Sequence, residues 1–175
     1  GITIPQNLII VGTVNMDETT FSFSRKVLDR AMTFEMNEVD LYGGLTFRHE
    51  QIGKLNFEDL VGDKVEGVDV YQENQEVCNL AIQYLQEINA VLEGTPFKIA
   101  YRTRNEFLLY VVNNLPYRKN SQGLEMTQRE VVARALDEIT SMKILSRIEG
   151  DEEKVKAELL ASLKEVVSKM LPENM

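Results

Sequence analysis

Residues 7–36 read NLIIVGTVNMDETTFSFSRKVLDRAMTFEM, and the interpretation of the whole chain turns on this stretch. It opens with Leu8-Ile9-Ile10-Val11, an apolar run too short for an independent helix and rich in β-branched residues, which predicts a buried strand. Gly12-Thr13-Val14 carries the strand to a polar tip of Asn15, Asp17, Glu18, Thr19 and Thr20. Open α/β sheets place their ligand sites at such tips. Ser22 or Ser24 can then cap a short helix, with Val27, Leu28 and Ala31 inside and Arg25, Lys26, Asp29 and Arg30 outside. A second β-like run, Met32-Thr33-Phe34-Glu35-Met36, follows at once.

The composition bounds what this stretch can belong to. With 175 residues, 43% hydrophobic and 27% charged, the chain reads as a soluble globular protein of one ordinary domain, or one small domain and part of a second. No run reaches the length of a membrane span, and residues 1–5 lack the basic and apolar regions of a signal peptide. Cys78 is the single cysteine, which excludes an internal disulfide and makes a cytoplasmic location the expectation. A net charge of −9 argues against this chain as the main DNA-contacting surface. Basic residues cluster only locally, at Arg25-Lys26, Arg102 with Arg104, and Arg118-Lys119.

Beyond Met36 the pattern breaks up. Glycines and aspartates interrupt every apolar run between residues 37 and 70, which reads as a connector of turns and short elements. Asn56 can cap one helical turn, and the alternation in Val65-Glu66-Gly67-Val68-Asp69-Val70 predicts a short strand or hairpin arm. From Tyr71 the period becomes helical. Val77, Leu80, Ala81, Tyr84, Leu85, Ile88 and Leu92 form one stripe, stopped by Gly94 and Pro96. Thr103-Arg104-Asn105-Glu106 and Thr127-Gln128-Arg129-Glu130 both have the form of capping boxes. The first opens a helix with Phe107, Leu108, Val111, Val112 and Leu115 inside. The second opens one with Val131, Val132, Ala135, Leu136, Ile139, Met142 and Leu145 inside. Asp151 caps a last helix carrying Val155, Leu159, Leu163, Val166 and Met170, which ends at Pro172. Four amphipathic helices with short connections predict a bundle, since each stripe needs another to bury it.

The stretch GTVNMDETT followed by FSRKVLDRAMTFEM resembles the second half of the nucleotide-binding module of AAA+ NTPases. Within them it is most similar to the McrB type, the NTPase subunit of methylcytosine-dependent restriction systems. The resemblance extends to Ala100-Tyr101-Arg102-Thr103-Arg104-Asn105-Glu106 and to Leu136-Asp137-Glu138 through Gly150 in the helical part. It implies a mainly α fold with a small β component. Residues 1–40 would be the end of the α/β core, 41–70 a connector and 71–175 a helical lid. It implies that Asn15 is the sensor 1 residue that orients the attacking water, with Asp17 beside it. Arg30 would be the finger reaching a neighbour's nucleotide, and Arg102 or Arg104 the sensor 2 arginine.

The resemblance further implies ATP or GTP with Mg²⁺ in the intact protein, self-association into a ring, and a nuclease subunit as a further candidate partner. The sequence contains no G-x-x-x-x-G-K-[ST] loop; Gly43-Gly44 is followed by Leu45-Thr46-Phe47. The chain on its own is therefore expected to be the sensor and lid part of a longer motor, catalytically silent and without a bound nucleotide. The alternative is a non-catalytic α-helical interaction or assembly module. His49 is the single histidine and has no partners at metal-ligand spacing, so no metal site is expected.

Overall fold

The computed structural model describes residues 3–5, 8–14, 23–36, 41–42, 45, 53–54, 56, 66–148 and 155–170. The chain forms two compact units, one of Gly1–Phe23 with Glu35–Asp63 and one of Ser24–Phe34 with Lys64–Met175. The second is helical. Its elements are α1 (Arg25–Leu28), α2 (Gly67–Tyr71), α3 (Gln75–Val91), α4 (Tyr101–Asn114), α5 (Gln128–Lys143), a 3-10 turn (Leu145–Arg147) and α6 (Ala157–Met170). Residues 24–34 thus belong to the helical unit.

No sheet forms among the described residues, whose one β feature is an isolated bridge between Lys119 and Glu125. The strands expected at Leu8–Val11 and over residues 32–36 are not made. Leu8, Ile9, Ile10 and Val11 stand in solvent, Ile10 at 84% exposure. A strand is stable only when neighbours pair its N–H and C=O groups and cover one face, and no described segment does either here. The short strand expected over residues 65–70 is also corrected, to the helix α2. Glu66 caps that helix and its N–H donates to Asp69 Oδ2 at 2.9 Å, so local capping overrides the alternating pattern.

Four long helices supply the core. The stripe of α3 is buried at Val77, Ala81, Tyr84, Leu85 and Ile88, with Leu80 at the edge and partly in solvent. It packs against α4 on one side and α6 on the other, and α4 also receives α5 and α2. Val70, Phe107, Val111, Leu136 and Ile139 are fully enclosed. Each such side chain stabilises the fold by about 1.5–3 kcal/mol. Inside this core the Tyr84 and Thr140 hydroxyls meet at 2.8 Å, and Thr140 also donates to the Leu136 carbonyl at 2.6 Å. The close approach of α2 to α4 depends on Gly67, where a Cβ would lie 2.7 Å from Asn105 Oδ1.

The ends of the helices follow their local chemistry. Chain reversal after α3 uses Gly94 at φ +75°, and Thr95 Oγ1 donates to the Leu92 carbonyl at 2.7 Å. The capping box at Thr127 forms as expected: Glu130 N–H donates to Thr127 Oγ1 at 3.3 Å, and Thr127 N–H to Glu130 Oε2 at 2.6 Å. The box expected at Thr103 does not form. α4 begins earlier, with Ala100 as its N-cap, and Glu106 is engaged elsewhere by Lys143. Two apolar assignments also shift. Leu145 lies beyond α5 and is half exposed, and Val27 is exposed where Leu28 is buried. In α6 Leu163 is the buried residue, with Leu159, Val166 and Val167 partly covered. The turn at residues 57–60 and the caps at Asp151 and Pro172 lie outside the described residues. Among the described residues, no helix is long and apolar enough to cross a membrane.

Candidate functional site

The helical unit holds a cleft of about 510 Å³ lined by α1 and its following turn, the loop between α3 and α4, the start of α4, and Arg147. Lys26, Arg30, Lys98, Arg102 and Arg147 face it, against one carboxylate, Asp29. In a chain of net charge −9 this concentration of positive charge is not a by-product of composition.

Its five cations are not equivalent. Arg147 Nη2 pairs with Asp29 Oδ1 at 2.7 Å, and its Nη1 points to Thr103 Oγ1 at 3.4 Å. Lys98 pairs with Glu93. Lys26, Arg30 and Arg102 have no ion-pair partner among the described residues. At the cleft wall α4 begins at Tyr101 with no side-chain cap on its N-terminus. First-turn N–H groups and the positive end of the helix dipole therefore add to the field of the cations. Such a cleft can hold an anion with several oxygen atoms, such as a chain of phosphates.

The turn bearing Arg30 is fixed from below by Lys143, whose side chain is fully buried. Lys143 Nζ donates to the Asp29 carbonyl at 3.1 Å and the Ala31 carbonyl at 3.0 Å, and pairs with Glu106 Oε2 at 2.9 Å. The ammonium thus gives two hydrogen bonds to main-chain carbonyls, and the Glu106 carboxylate balances its charge. Within the turn, the N–H groups of Arg30 and Ala31 donate to the Val27 carbonyl at 2.9 and 3.0 Å.

Arg30 and Arg102, singled out in distant parts of the sequence, thus line one cleft. Arg104 does not line it. Its guanidinium lies 5.1 Å from the Tyr101 ring centre and donates to Asn105 Oδ1 at 3.1 and 2.7 Å. Asn15 and Asp17 lie outside the described residues, as does His49. The sequence reading did not find Lys26, Lys98 or Arg147 as cleft residues, nor Lys143 as a buried one. For Lys143 a signal exists: it falls seven residues after Leu136 and four after Ile139, on the apolar stripe of α5, where a lysine must have partners. Nothing local marks the other three.

No group of histidine, cysteine, aspartate or glutamate side chains among the described residues could hold a metal ion. The described residues at the cleft suit the phosphate end of a nucleotide, and among the described residues there is no ligand set for Mg²⁺.

A helical unit with a cationic cleft is the class that fold and site define. The family described as Domain of unknown function (DUF8727) matches residues 57–172, and the chain belongs to that family. No curated protein and no solved structure matches the chain.

Proposed function

We propose that this chain is the sensor and lid part of an AAA+ NTPase of the McrB type, and that its cleft receives the phosphates of ATP or GTP. The observation that carries this reading is the meeting of Arg30 and Arg102 in one cleft. Both arginines were marked by the resemblance alone, and a nucleotide-sensing site needs just such groups around the phosphates. Arg102 binds the phosphates and couples the lid to nucleotide state, Lys26 adds to the field, and Arg30 stabilises charge on a phosphate, a neighbouring subunit's or the one in its own cleft. Asn15 orients the attacking water. In the intact motor, nucleotide is held with Mg²⁺ in a ring of subunits, and a nuclease subunit and DNA are met mainly through other surfaces.

The test is steady-state hydrolysis by the intact NTPase. Arg30→Ala and Arg102→Ala are each expected to lower the rate by about 10- to 1,000-fold, with a smaller loss of nucleotide affinity. Unchanged turnover in both variants overturns the reading. Mixing Arg30→Ala with wild-type subunits separates the two ways Arg30 could act. Rescue marks action on a neighbour's nucleotide, and no rescue marks action within its own cleft.

A further inference from the structure

The arginine-bearing turn has little apolar anchorage of its own. α1 has four residues, and only Leu28 of the Lys26–Leu28 segment is buried. What the turn does have is a pair of backbone carbonyls, those of Asp29 and Ala31, on either side of Arg30, both accepting from Lys143. Lys143 stands at the C-terminal end of α5, and its third partner, Glu106, lies on α4 one helical turn beyond Arg102. One buried ammonium therefore connects the backbone flanking Arg30 to the helix that carries Arg102.

We propose that Lys143 is the positioning residue of the cleft, setting where Arg30 stands relative to Arg102. Lys143 touches no bound anion and acts through the turn. Side-chain contacts cannot substitute for it, because the acceptors are main-chain carbonyls whose places follow the path of the chain itself. An ion pair with Asp29 from Arg147 holds the same turn, but through a side chain that is half exposed and screened by water. The tie through the buried ammonium is better shielded from water, and the stiffer of the two. The proposal rests on the cleft being an anion site as far as binding is concerned, and on geometry alone as far as the turn is concerned.

The experiment uses the whole chain and the variant Lys143→Met, of similar length and without donors. Two measurements are made: amide hydrogen exchange by NMR, and calorimetric titration with inorganic tripolyphosphate. The expected result is loss of protection at the Arg30 and Ala31 amides while those of α3 stay protected. Tripolyphosphate affinity is expected to fall about tenfold, as for Arg30→Ala, with the double variant no weaker than either single one. A purely structural lysine would give additive losses. Unchanged exchange at Arg30 and Ala31, or full additivity in the double variant, overturns the proposal. If Lys143→Met does not fold, the same criteria apply to Lys143→Met combined with Glu106→Gln, which leaves no unpaired carboxylate beside the substituted position. If the wild-type chain takes up no tripolyphosphate, the cleft reading fails by itself, and exchange at Arg30 and Ala31 still decides the positioning.

Discussion

Asp29 and Arg147 stand 2.7 Å apart at the cleft, so the one carboxylate among its lining residues is tied to one of its five cations. An incoming phosphate competes with Asp29 for that guanidinium. Replacing Asp29 with Asn removes both the competition and a negative charge. Asp29→Asn is therefore expected to bind inorganic tripolyphosphate several-fold more tightly, with a steeper loss on adding salt. Stability should change by less than about 1 kcal/mol, because the pair is partly exposed. Calorimetry at low and raised salt, with thermal melting alongside, checks both parts.

Tyr84 tests the one hydroxyl pair inside the core. Burial pushes its phenol up to about 12 from the usual 10.0, partly offset by the Thr140 hydroxyl and reinforced by Asp137. The folded state then holds the proton more tightly than the unfolded chain. The resulting stability is complete below pH 10 and is lost as pH rises towards 12. Tyr84→Phe should cost about 1 kcal/mol at neutral pH, since Thr140 still donates to the Leu136 carbonyl. In alkaline denaturation its stability should fall less than that of the wild type over that window.

The Thr127 capping box carries an acid-side prediction. Hydrogen bonds from the Thr127 hydroxyl and backbone N–H hold the Glu130 carboxyl below its usual 4.5. A depressed carboxyl stabilises the fold above its unfolded value, and the effect is lost as pH falls through the folded one. Thr127→Ala should lower the melting temperature at neutral pH, and the gap from wild type should narrow in acid. A gap independent of pH would mean that Glu130 takes no part.

Leu163 is the buried residue of α6, and α6 meets the rest of the unit mainly through α3. Leu163→Ala should cost about 2–5 kcal/mol through the cavity it leaves. Limited proteolysis should then cut within residues 157–170 before the other helices open.

The parts of the fold legible in the sequence were those governed by neighbours along the chain. The period of α3 and α5 follows from apolar residues at three- and four-residue spacing, and the Thr127 box from two residues in one turn. The Thr103 box has the same letters and did not form, because Glu106 answers to Lys143, distant in sequence. Leu8–Val11 has strand propensity without a strand, since pairing is supplied by other segments and not by the run itself. Arg30 and Arg102 could be singled out from the sequence, yet their common cleft could not. That depends on residues 24–34 packing with the helical unit, which no local pattern encodes.

The buried ammonium of Lys143 also bears on where the family's unit begins. Sequence similarity draws that edge at residue 57, but the two carbonyls that accept from Lys143 lie at residues 29 and 31. Cut at residue 57, the matched region would keep a charge in its interior with Glu106 alone to answer it. Losing partners of a buried charge costs about 3–5 kcal/mol, a large share of a small domain's stability. A member holding only the matched region must therefore admit water at this point, borrow an acceptor from another segment, or carry an apolar residue in place of the lysine. The residue aligned with Lys143 in each relative thus serves as a marker of whether an upstream strap travels with the domain.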